Sequence, residues 1–92
     1  MIVLGIDPGI ARCGWGVIKR EKGKNLFLAY GCIETSKNLP HSDRVLGVYN
    51  QIIKLIEKYQ PDRAGVEELF FAKNVKTAIT VAEVSGVILL AL

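Results

Sequence analysis

The sequence predicts an α/β domain built on one mixed sheet. Strands one to three run antiparallel, strand four lies parallel to strand one, and two helices accompany them. Three observations carry this reading. Apolar patterns of strand and helix period follow one another in the order strand, strand, strand, helix, strand, helix. A polar stretch joins the second strand to the third, as a hairpin requires. A helix then separates the third strand from the fourth, so the fourth runs parallel to one of its predecessors through a right-handed crossover.

Met1 to Ile6 is continuously apolar and rich in β-branched residues, as a strand covered on both faces should be, and it ends in the turn tripeptide Asp7-Pro8-Gly9. Gly14 to Arg20 forms the second strand, Glu21 to Asn25 a hairpin loop, and Leu26 to Thr35 the third strand. After the loop Ser36 to Pro40, Ser42 is a good N-cap for a helix whose buried stripe is Val45, Leu46, Tyr49, Ile52, Ile53 and Ile56, ending before Pro61. Arg63 to Leu69 is the fourth strand. A second helix covers about Asn74 to Leu92, with Ala78, Val81, Ala82, Ser85, Ile88 and Leu89 as its inner face. The run from Val84 to Leu92 has no cap, cation or turn residue, so residues 1–92 are expected to be the N-terminal part of a single domain, cut short of the complete fold.

Composition narrows the function classes. The chain has 92 residues, half of them apolar and 23% charged, which suits one folded domain and argues against a disordered tail. A net charge of +3 permits a polyanionic partner without requiring one. Cys13, Cys32 and His41 show none of the close spacings of a zinc site and read as structural. No apolar run reaches the roughly 20 residues of a membrane span, and no basic leader precedes Ile2; a cytoplasmic protein with reduced thiols is the expectation.

Two carboxylates stand where carboxylates are costly. Asp7 ends the first strand and Glu67 lies at the end of the fourth. If these strands are parallel neighbours about 4.8 Å apart, both acids leave the same carboxyl edge, where open α/β sheets bind ligands. Two unit charges at 4 Å repel by about 4 kcal/mol at an effective dielectric of 20, a conflict that a hard divalent cation removes. Paired ions roughly 3.5–4 Å apart are the machinery of two-metal nucleases. The competing reading is that Asp7 caps its own turn and Glu67 is a solvated strand end. Glu68 faces the other side of the pleat from Glu67, and spacing alone does not choose between them.

The run Gly5-Ile6-Asp7-Pro8-Gly9, continuing to Gly14-Trp15-Gly16-Val17, resembles the opening of RuvC-type Holliday-junction resolvases. Val66-Glu67-Glu68-Leu69-Phe70-Phe71-Ala72-Lys73-Asn74 resembles their second motif, about 60 residues further on. The first motif is shared with actin-like ATPases and sugar kinases, whereas the second is specific. The resemblance covers the whole chain and implies an RNase-H-like fold. It also implies a Mg²⁺-dependent endonuclease, with Mn²⁺ as a substitute, that acts as a homodimer on four-way junction DNA alongside branch-migration helicase machinery. It makes Asp7 and Glu67 catalytic, metal-binding acids, choosing Glu67 over Glu68. Phe70 matches the aromatic that stacks on a base at the junction centre, and Lys73 and Asn74 match positions close to the DNA backbone. The family completes its site with two aspartates on a later helix, which have no counterpart here, so these 92 residues alone are expected to bind metal poorly and cleave little or nothing.

Phe70 and Phe71 adjoin, so alternation exposes one of them; an exposed Phe70 offers a stacking surface, while the alternative buries both. Lys76 reads as a solvated helix residue, and Lys19, Arg20, Lys22 and Lys24 as a soluble hairpin tip rather than a DNA patch. Two other function classes remain. One is a nucleotide-binding half of an actin-like ATPase or sugar kinase, which Ile10-Ala11-Arg12 fits badly because a phosphate loop favours Gly, Ser and Thr. The other is a non-catalytic RNase-H-like module that binds nucleic acid or a partner chain.

Overall fold

A computed structural model describes the backbone of residues 1–67 and 75–92, and the side chains of residues 1–67 and 78–92. Its elements are β1 (Ile2–Asp7), β2 (Arg12–Glu21), β3 (Lys24–Glu34), α1 (His41–Tyr59), β4 (Arg63–Val66) and α2 (Val75–Ala91). They form one four-stranded sheet in the order β3-β2-β1-β4, with β1 antiparallel to β2, β2 antiparallel to β3, and β1 parallel to β4. The mixed sheet expected from the order of patterns is therefore the one observed.

The β2–β3 hairpin is tighter than its polar stretch suggests. Lys22 and Gly23 both adopt positive φ, at 50° and 75°, so a two-residue turn suffices and Glu21 pairs with Lys24. Further along, the register shifts between Val17 and Ile18 because β3 carries an extra residue, Leu28. Such a bulge strengthens the local twist of an exposed edge strand.

Alternation divides the sheet into two faces. Leu4, Ile6, Cys13, Val17 and Ile33 point to the helices and are buried, together with Val48 and Ile52 of α1 and Val84 and Ile88 of α2. Trp15 packs against this core and lies across Gly31, where a Cβ would come within 2.7 Å of the indole. The opposite face carries no helix among the described residues.

Two expectations for the helices are corrected. Ser42 does not cap α1: the helix starts at His41, Pro40 holds the N-cap position without a side-chain hydrogen bond, and the Pro40 carbonyl accepts from the Asp43 and Arg44 amides. The fixed φ of proline presets that entry, so no hydroxyl cap is needed. The inner faces are also rotated. Val48 is fully buried in α1 while Leu46 is 54% exposed. In α2, Val84 and Ile88 are buried while Ala82 and Leu89 are exposed. The fourth strand ends at Val66, and what the sequence suggests for Leu69 lies outside the described residues.

Candidate active site

β4 is fastened to β1 at both ends. At the start, the Asp62 carboxylate accepts from the Ile2 amide at 2.8 Å and the Asp62 amide donates to the Ile2 carbonyl at 2.8 Å. At the end, Ile6 stands beside Val66, and the Glu67 amide donates to the Ile6 carbonyl at 2.9 Å. This register leaves Asp7 and Glu67 as adjacent residues on parallel strands spaced about 4.8 Å. Ile6 is buried toward the helices and Val66 half-buried, so the next residue on each strand, Asp7 and Glu67, turns to the helix-free face. Both carboxylates are exposed, and neither has a lysine or arginine partner among the described residues.

Asp7 and Glu67 share one shallow depression of about 370 Å³ whose floor includes Gly5, Gly14, Gly16 and Gly65. A Cβ at Gly16 or Gly65 would meet nothing within 4 Å, and one at Gly14 would meet only the Asp7 Cβ, at 3.6 Å. Packing among the described residues therefore does not demand these glycines. Their effect is to leave the sheet bare in front of the two acids.

The turn after Asp7 is closely held. A Cβ on Gly9 would run into the carbonyl oxygen of Arg12, so only glycine allows the chain to close there. Burial pushes the Cys13 thiol up from its ordinary value; the nearby Gly9 backbone opposes this, and Cys32 and Asp7 add to the rise. Cys13 is thus a neutral packing residue, as its sequence context suggests. His41 is likewise structural: its Nε2 lies 3.5 Å from Glu83 and links α1 to α2.

Two exposed carboxylates on one edge supply hard oxygen donors suited to Mg²⁺ or Mn²⁺, with room for the waters that Mg²⁺ retains. Among the described residues no third His, Cys, Asp or Glu joins them. Phe70, Lys73 and Asn74, and also Glu68 and Phe71, lie outside the described residues. Asp62, which bonds Ile2, and Thr35, whose hydroxyl donates to the Ile10 carbonyl, were not legible from the sequence. Each bonds a backbone group far away in sequence, and no spacing signals that.

The model of the family "Crossover junction endodeoxyribonuclease RuvC" matches residues 3–92. The chain belongs to the RuvC family. The RuvC of Brachyspira hyodysenteriae is 51% identical over all 92 residues, which cover 58% of that relative, and the RuvC of Chloroflexus aggregans is 50% identical, with 56% covered. Among solved structures, Thermus thermophilus RuvC in complex with a Holliday junction substrate superimposes with a TM-score of 0.90 at 32% identity, over 99% of this chain and 58% of that one. The chain spans little more than half the length of the RuvC proteins it matches. With the sheet order β3-β2-β1-β4, this match makes the fold RNase-H-like. The fold alone recurs in an Aquifex aeolicus Ppx/GppA phosphatase, with a TM-score of 0.60 at 17% identity.

Proposed function

We propose that these residues are the N-terminal part of a single RNase-H-like nuclease domain that resolves four-way junction DNA by Mg²⁺-dependent phosphodiester hydrolysis. The observation that carries the proposal is the meeting of Asp7 and Glu67 on one bare carboxyl edge of the sheet. RuvC membership selects nuclease chemistry over the nucleotide-binding alternative for such an edge, and the solved relative bound to a Holliday junction supports the substrate.

In this reading the Asp7 and Glu67 carboxylates hold the divalent ion at the edge, and the glycine floor lets substrate or another chain segment come close. The ion, when bound, polarises the scissile phosphate and lowers the pKa of a bound water. Phe70 stacks on an unpaired base at the junction, and Lys73 and Asn74 contact backbone phosphate. A homodimer in the cytoplasm, working with branch-migration helicase machinery, completes the proposal. Two carboxylates are a sparse ligand set, so the 92-residue chain alone binds Mg²⁺ weakly and cleaves little.

The test is a chimera in which these residues replace the corresponding part of full-length Thermus thermophilus RuvC. It should cut a four-way junction in the presence of Mg²⁺, leave linear duplex intact and show no affinity for ATP. Asp7→Asn or Glu67→Gln should reduce cleavage by more than about a hundredfold, the upper range for losing even an outer-shell partner of a metal. Unchanged cleavage in both variants would reject the assignment.

A further inference from the structure

The link from β1 to β2, residues 8–11, carries the backbone away from Asp7, and it is braced from a distant part of the chain. The Thr35 hydroxyl at the end of β3 donates to the Ile10 carbonyl, and the Thr35 amide donates to the Ala11 carbonyl at 3.3 Å. That hydroxyl in turn accepts from Arg44 Nε, at 3.0 Å, on the first turn of α1. Both side chains are half-buried. A hydroxyl that accepts from a guanidinium is polarised and becomes a stronger donor, so Arg44 tightens the bond from Thr35 to Ile10.

We infer that Thr35 is a positioning residue for Asp7 and that Arg44 acts through it. The inference rests on the reading of Asp7 and Glu67 as a metal-binding pair. Glu67 is placed by the fastening of β4 to β1, which continues to its own amide. Asp7 has no such hold beyond its strand. The peptide after it is fixed by Pro8, by the closure of Gly9 over Arg12, and by the Thr35–Arg44 brace. Gly9 and Pro8 shape the turn, Ile10 packs against the core, and the Thr35–Arg44 brace ties the Ile10 carbonyl to the end of the third strand and to the first turn of α1. Releasing the hydroxyl bond frees the Ile10 carbonyl and widens the range of positions open to the Asp7 carboxylate. A bridging ion is sensitive to that, because its ligands must converge at fixed distances.

The experiment is a Mn²⁺ titration of the 92-residue chain followed by paramagnetic broadening of backbone amides, with amide hydrogen exchange measured on the metal-free protein. The variants are Thr35→Val, Thr35→Ser, Arg44→Met and, as a control, Asp7→Asn. Expected is a Mn²⁺ dissociation constant raised about tenfold in Thr35→Val, at the low end of outer-shell effects on metal affinity. Arg44→Met should give a smaller rise, and Thr35→Ser, which keeps the hydroxyl, should restore the wild-type constant. Exchange should quicken at Gly9, Ile10 and Ala11 in Thr35→Val without quickening in β2 or α1. If Asp7→Asn abolishes Mn²⁺ binding while Thr35→Val and Arg44→Met leave it unchanged, the brace has no positioning role and the inference fails alone. If the wild-type chain binds no Mn²⁺, or Asp7→Asn binds as well as wild type, the metal reading fails and the inference falls with it. Should Thr35→Val not fold, Arg44→Met against Thr35→Ser decides on the same criteria.

Discussion

Asp7 and Glu67 stand side by side with no lysine or arginine partner among the described residues, and as like charges they repel. Two consequences separate a metal site from a pair of solvated strand ends. Without divalent ions, Asp7→Asn or Glu67→Gln should raise the thermal midpoint slightly, because a repulsion is removed. With Mg²⁺ in excess, the wild-type midpoint should rise and the variants should not follow, since an ion that binds only the folded chain stabilises it by mass action. Scanning calorimetry with and without Mg²⁺ reads both effects. Cys13 offers an independent check on the turn. A thiol whose folded pKa is raised keeps its full contribution to stability below its ordinary value, 9.0, and loses it as pH climbs through the raised value. Unfolding free energy should therefore decline above about pH 9, and Cys13→Ala should remove that part of the decline. For Phe70, stacking on a base contributes roughly 1–3 kcal/mol. In the chimera, Phe70→Ala should weaken junction binding by that amount while leaving the melting temperature almost unchanged; a loss of stability of about 3–5 kcal/mol would mark Phe70 as a core residue instead.

At the scale of elements, the strongest periodicities were legible and the weakest were not. The apolar run of β1, the hairpin and the crossover through α1 are local patterns that make β1 to β3 antiparallel and β4 parallel to one of them; the shared edge wanted by Asp7 and Glu67 singled out β1, which is the partner observed. The choice between Glu67 and Glu68 was not legible from spacing, because it depends on a register that Asp62 sets from the other end of β4. Asp62→Ala should therefore loosen β4 and fray the Glu67 amide, seen as faster hydrogen exchange at Glu67 than at the β1–β2 pairs. The inner face of α2 was misjudged for a different reason. Leu89 and Leu90 are as apolar as Val84 and Ile88, so composition contains no stripe, and contact with α1 and β4 selects the buried side. In α1, Ile52 is fully buried at the centre of the core, so Ile52→Ala should cost about 2–5 kcal/mol, measured by denaturant unfolding. That is a large share of the 5–15 kcal/mol typical of a whole domain.

For the whole molecule, the layer arrangement explains where chemistry and association can occur. Among the described residues the helices cover one face of the sheet, and the other face carries Asp7, Glu67 and the glycine floor. On the helix side, Leu46 at 54% and Leu90 at 79% exposure flank an apolar groove between α1 and α2 that Val45, Tyr49 and Val87 help to line. Contiguous apolar surface of this kind marks interaction sites or a tendency to aggregate. The chain should therefore self-associate at about 100 μM in sedimentation and bind a hydrophobic dye, and Leu90→Lys should reduce both. A monodisperse wild-type monomer that ignores the dye would show that this groove is not an association surface. The central claim, that Asp7 and Glu67 form one metal-binding edge, is tested most directly by anomalous diffraction from crystals of the chain soaked in Mn²⁺. An anomalous peak should lie within coordination distance of both carboxylates and be lost in Asp7→Asn. A peak on only one of the two acids, or none at this edge at saturating Mn²⁺, would contradict it.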